Sequence, residues 1–86
     1  MIGAIGERRG DVERAVAAWA DTLRADAKFD VLGPAPYPVA RVNDERRYRF
    51  AVRTRDMDAL REALRGRVIP LARKTEGVRL AITIDA

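Results

Sequence analysis

Residues Arg46–Thr54 read RRYRFAVRT, and this alternation decides the fold. Successive side chains of a strand point to opposite faces. Tyr48, Phe50 and Val52 therefore share one side, and Arg47, Arg49, Ala51 and Arg53 share the other. Burying three unpaired arginines costs far more than the strand can return. The aromatic side must then face a core, and the arginine side must face water or a partner.

The sequence downstream of this strand supplies a cover for the aromatic side. Asp56 is the expected N-cap of a helix whose apolar stripe is Met57, Leu60, Ala63 and Leu64, with Gly66 as its expected end. Val68 to Leu71 reads as an irregular apolar turn, because Pro70 opposes an unbroken helix. Gly77 leads into a last strand, in which Val78, Leu80, Ile82 and Ile84 alternate with Arg79, Ala81, Thr83 and Asp85.

Upstream, Asn43, Asp44 and Glu45 predict a hairpin turn. Before it lies FDVLGPAPYPVARV, Phe29 to Val42, with Pro34, Pro36 and Pro38 at every second position. Proline lacks an N–H, so this stretch is expected to run extended, close to polyproline II, along a sheet edge or across the surface. Asp11 is the expected N-cap of a first helix with the stripe Val12, Val16, Trp19, Ala20 and Leu23. Ile2 to Ile5 is a short first strand.

The order β-α-β-β-α-β predicts an α+β fold, a two-layer sandwich over residues 1–86 as one domain. A four-stranded, mostly antiparallel sheet is expected to carry both helices on one face, over Tyr48, Phe50, Val52, Leu80 and Ile82. Arg47, Arg49, Arg53 and Arg79 are left on the other face.

The composition narrows the function. The 86 residues contain no cysteine and no histidine, which removes disulfides, zinc fingers, thiol chemistry and the commonest general base. No glycine-rich phosphate loop or GK[ST] motif occurs, and the acids form no evident catalytic pair, so neither catalysis nor a cofactor or metal is expected. There is no apolar run of membrane-spanning length and no signal peptide, which points to a cytoplasmic protein. Residues 41–55 hold six arginines against Asp44 and Glu45, equal to the whole net charge of +4; the remaining basic and acidic residues cancel.

The topology is shared by several functions. An RNA-recognition motif stacks bases on aromatics of the open sheet face, but here Tyr48 and Phe50 point inward. Acylphosphatases need a glycine-rich phosphate loop near the first strand, and none is present. Arginine forks fit phosphates and carboxylates, so the ligand is a nucleic-acid backbone or an acidic peptide.

The stretch VLGPAPYPVARVNDERRYRFAV, Val31 to Val52, resembles the C-terminal domain of the replication-restart helicase PriA (primosomal protein N′). That family shows a Gly-Pro-x-Pro-x-Pro segment, a basic turn, and Arg-Tyr-Arg opening a strand. Gly33, Pro34, Pro36, Pro38, Arg41, Arg47, Tyr48 and Arg49 match it. Ala51 stands where the family often has Gln, and the family's final Asp-Val-Asp-Pro is reduced to a single acid, Asp85. The resemblance implies an S10-like fold that binds forked or single-stranded DNA at stalled replication forks. It also implies an excised part of a longer helicase, with a stand-alone protein as the alternative. The protein partners it implies are the helicase core of the parent protein and the acidic tail of single-stranded-DNA-binding protein. A ribosome-associated RNA-binding protein is a third reading. The expected DNA contacts are Arg41, Arg47, Arg49, Arg53 and Arg79, with Arg47 also a candidate for protein docking.

Overall fold

The computed structural model describes residues 1–42 and 45–83, with side chains for 1–36 and 45–83. Its elements are β1 (Ile2–Gly6), α1 (Arg9–Arg24), β2 (Asp30–Val42), β3 (Glu45–Arg53), α2 (Met57–Ala63), a π-helical turn (Leu64–Val68), α3 (Ile69–Arg73) and β4 (Val78–Ile82). The strands form one sheet in the order β2-β3-β1-β4, and every pair is antiparallel. The fold is thus the expected α+β arrangement. Although first in the chain, β1 lies inside the sheet, with Ile2 opposite both Phe50 and Ile82.

One face of this sheet meets the helices. The largest fully buried side chains are Trp19, Phe50, Leu23, Val12, Val16 and Val68. The α1 stripe supplies Val12, Val16, Trp19, Ala20 and Leu23 to this core. Leu60 and Leu64 add to it from the second helical segment, while Tyr48, Val52 and Leu80 are partly buried against it. Burial of this apolar area is the main stabilising term. Ile82 departs from expectation. Its register partner Ile2 is 2% exposed, but Ile82 itself is 37% exposed. It lies at the end of the edge strand β4, where the core runs out.

Glycine is required where β1 meets its neighbours. A Cβ on Gly6 would lie 2.5 Å from the Gly77 carbonyl oxygen and 2.9 Å from Val12 Cγ2. Gly77 itself has φ of 78°, a conformation that glycine adopts without penalty, and turns the chain into β4.

The proline-rich segment is the edge strand β2. Its pairing with β3 is irregular between Leu32 and Ala35 and again between Pro36 and Arg41, intervals that contain Pro34 and Pro38. The missing N–H groups are tolerated because an edge strand pairs on one side only. Such interruptions also blunt the free edge.

Two helix boundaries differ from the sequence reading, and Val68 to Leu71, expected as an irregular turn, is helical. Helix α1 begins at Arg9 with Arg8 as N-cap, and Asp11 sits inside the first turn, ion-paired with Arg14. A carboxylate there still favours the positive end of the helix dipole. Asp56 caps α2 as expected, accepting the Ala59 N–H at 3.0 Å. Gly66 does not end the second helical segment, which widens into the π turn and resumes as α3. In that turn the Ile69 N–H reaches back five residues to the Leu64 carbonyl. Pro70 then falls in the first turn of α3, a position that tolerates proline. The expected turn residues Asn43 and Asp44, and Ile84 and Asp85 of the last strand, lie outside the described residues.

Candidate nucleic-acid interface

Strand β3 builds the outer face of the sheet from its odd-numbered positions. Arg47 lies opposite Ile5 of β1, Arg49 opposite Gly3 of β1 and Ala35 of β2, and Arg53 opposite Asp30 of β2. On the far side of β1, Ile5 also faces Arg79 of β4. Arg47 and Arg79 therefore flank one isoleucine from strands two apart, about 10 Å between backbones. Arg47, Arg49, Arg53 and Arg79 are brought to one face. The backbone of Arg41 pairs with Arg46 rather than with one of these four, and its side chain lies outside the described residues.

The face also carries two carboxylates. Glu45 has the strand parity of Arg47, and its two oxygens are shared. Arg79 Nη2 donates to Oε2 at 2.6 Å, while Arg47 Nη2 lies 3.9 Å from Oε1. Arg53 Nη2 donates to Asp30 Oδ2 at 3.1 Å, with both side chains more than 60% exposed. Among the described residues, these four arginines share the face with these two acids. The exposed Arg53–Asp30 pair contributes only about 0–1 kcal/mol, so a phosphate can compete for Arg53. Arg49 Nη1 lies 3.6 Å from Met1 Sδ.

Arg47 is set apart from its neighbours. Its side chain is 34% exposed, and its Nε is buried without a hydrogen-bond partner among the described residues. An unsatisfied guanidinium N–H is costly to leave so.

Between the outward arginines, Tyr48 turns to the helices. Its hydroxyl donates to Glu13 Oε1 at 2.6 Å, and Arg9 Nε donates to the same oxygen at 2.8 Å. The Tyr48 hydrogen bond, followed by that of Arg9, holds the Glu13 carboxyl below the usual carboxylate range, and the Arg9 guanidinium is held above its ordinary value chiefly by Glu13. The Arg-Tyr-Arg motif thus divides its work. The tyrosine fastens β3 to α1, and the arginines stand on the opposite face. With Phe50 1% exposed and Tyr48 engaged by α1, neither ring is on the outer face for base stacking.

Sequence reasoning identified the arginines but missed Glu45 and Asp30 as their partners. Glu45 was legible by simple extension of the strand parity. Asp30 was not, because its place opposite Arg53 depends on the register of the irregular β2–β3 pair.

Among the described residues, no group of His, Cys, Asp or Glu is arranged to hold a metal ion, and no helix is long and apolar enough to cross a membrane. The family model for the primosomal protein N C-terminal domain matches residues 1–86. No curated protein matches the sequence.

Proposed function

This chain belongs to the family of the primosomal protein N C-terminal domain, and from that premise we propose that its outer sheet face contacts DNA during replication restart. A primosomal role follows from the family, whose members are C-terminal modules rather than catalytic domains. The DNA contact rests chiefly on one observation: Arg47, Arg49, Arg53 and Arg79 share a face on which, among the described residues, two carboxylates pair with three of them. Such a surface grips phosphates and reads little sequence. Alternate strand residues are about 6.5–7 Å apart, close to the phosphate spacing of a stretched single strand. Forked or single-stranded DNA in the cytoplasm is the proposed substrate, and an ATP-dependent helicase the proposed parent protein.

The test is the salt dependence of DNA binding by the 86-residue chain and by its Arg47→Ala/Arg49→Ala/Arg53→Ala variant. Loss of three phosphate contacts should flatten the slope of log K against log salt by about 2 for single-stranded DNA. A folded triple variant that binds like the parent at low salt would sink the DNA reading.

The loose pair of Arg47 with Glu45, 3.9 Å apart, favours a second reading for that residue. A carboxylate on a protein surface, such as the parent helicase core or an acidic tail, would give its guanidinium the close partner that Glu45 does not. If Arg47→Ala abolishes binding of an acidic peptide while sparing DNA affinity, Arg47 belongs to docking.

A further inference from the structure

Past the Arg53 end of β3, the outer face turns into an open cleft of about 720 Å³ between the α1–β2 and β3–α2 connections. Lys28 borders it from one connection and Arg55 from the other, and Arg53 also lines it. Two acids, Asp30 and Asp56, also line it, and both are engaged. Asp30 pairs with Arg53, and Asp56 Oδ1 accepts the Ala59 N–H. The Lys28 ammonium and the Arg55 guanidinium have no partner among the described residues, and both residues are exposed. A lysine and an arginine, unpaired among the described residues and brought from two connections to one concave site, form an anion seat beside a third cation in an exposed ion pair. Field lines converge in such a concavity, so its charges act more strongly than on a flat surface.

We infer that this cleft binds a backbone phosphate of the DNA strand, at the point where the strand leaves the arginine face of the sheet and turns toward the helical layer. The inference rests on the DNA reading above and assigns Lys28 and Arg55 to it. Lys28 acts as a mobile point charge, while Arg55 presents a planar fork that can bridge two phosphate oxygens. Arg53 belongs to both surfaces and switches from Asp30 to phosphate when the strand is bound. A strand held along β3 and in the cleft must be longer than one held along β3 alone.

Two oligothymidines discriminate, one only as long as the Arg47–Arg53 span and one longer by several nucleotides. The Lys28→Ala/Arg55→Ala variant should bind the longer strand about tenfold more weakly at low salt. Its salt slope should be flatter by about 1.4, as for two lost contacts to single-stranded DNA. The shorter strand should be affected much less. Inorganic phosphate, followed by amide chemical shifts, should perturb residues 27–28 and 53–55 in the parent chain and not in the variant. If the variant binds both lengths like the parent while Arg49→Ala weakens both, the cleft assignment is overturned and the sheet-face reading stands. If the cleft variant weakens binding and the triple arginine variant with Arg53 restored does not, the sheet-face reading falls and the cleft remains as the DNA contact.

Discussion

The two faces of β3 are built from the same nine residues, Glu45–Arg53, yet they do different work. On the helix side, Phe50 is sealed against α1, and Tyr48 is bonded to it through Glu13. On the outer side, arginines pair with carboxylates, in the open between Arg53 and Asp30 and half-buried at Glu45. Stability and binding are therefore separable along a single strand, at alternate positions.

The largest expected effect is on the helix side. Phe50→Ala should cost about 3–5 kcal/mol in urea denaturation, since it opens a cavity beneath the helices. A domain of this size has only about 4–13 kcal/mol to lose. A loss below about 1 kcal/mol would break the division by showing that Phe50 is not in the core.

Next comes the triple arginine variant. Its stability should stay within about 1 kcal/mol of the parent, while its DNA affinity drops and its salt slope flattens. If it unfolds, the outer face has a structural role, and the two faces are not independent.

Glu45→Gln should act in the opposite direction. Removing the carboxylate shared by Arg79 and Arg47 frees both for an anion. Since exposed pairs contribute up to about 1 kcal/mol, the DNA affinity should rise by up to about fivefold. A fall in affinity, with the fold intact, would show that Glu45 positions the arginines rather than competing for them.

The smallest effect is expected in acid. Glu13 titrates below its ordinary value in the folded chain, held first by Tyr48 and then by Arg9. Its contribution to stability is present above the unfolded carboxylate range and is lost as pH falls through the depressed folded value. Tyr48→Phe removes the larger cause and should shrink this acid-side loss measurably in thermal melts at descending pH. An unchanged acid profile would show that the hydroxyl bond does not form in solution.

Much of the fold was legible because the relevant signals are local. The parity of Arg46–Thr54 assigned the two sheet faces, and the α1 stripe assigned the helix face that covers one of them. Pro34, Pro36 and Pro38 ruled out a central strand and left the sheet edge or the surface, because a missing N–H is a property of the residue itself. The capping role of Asp56 was equally local. The α1 start was misread, because Asp11 suits both the N-cap and the first turn, and nothing in the residue types distinguishes Arg8 as the cap. Gly66 looked like a helix end, but the segment continues through a π turn whose buried Leu64 and Val68 hold it against the core.

By itself, then, the sequence determined the order of elements, the core side of each and the presence of an outward arginine strand, since periodicity and charge act over a few neighbouring residues. Only the tertiary structure decided how those arginines are used. Pairing β1 between β3 and β4 placed Arg79 across Ile5 from Arg47 and gave both arginines a share of Glu45. The β2–β3 register set Asp30 against Arg53, and the meeting of two connections put Lys28 and Arg55 around one cleft. The end of β4 left Ile82 outside the core despite its apolar parity. These outcomes depend on which distant segments become neighbours, and chain closure and packing set that across the whole domain.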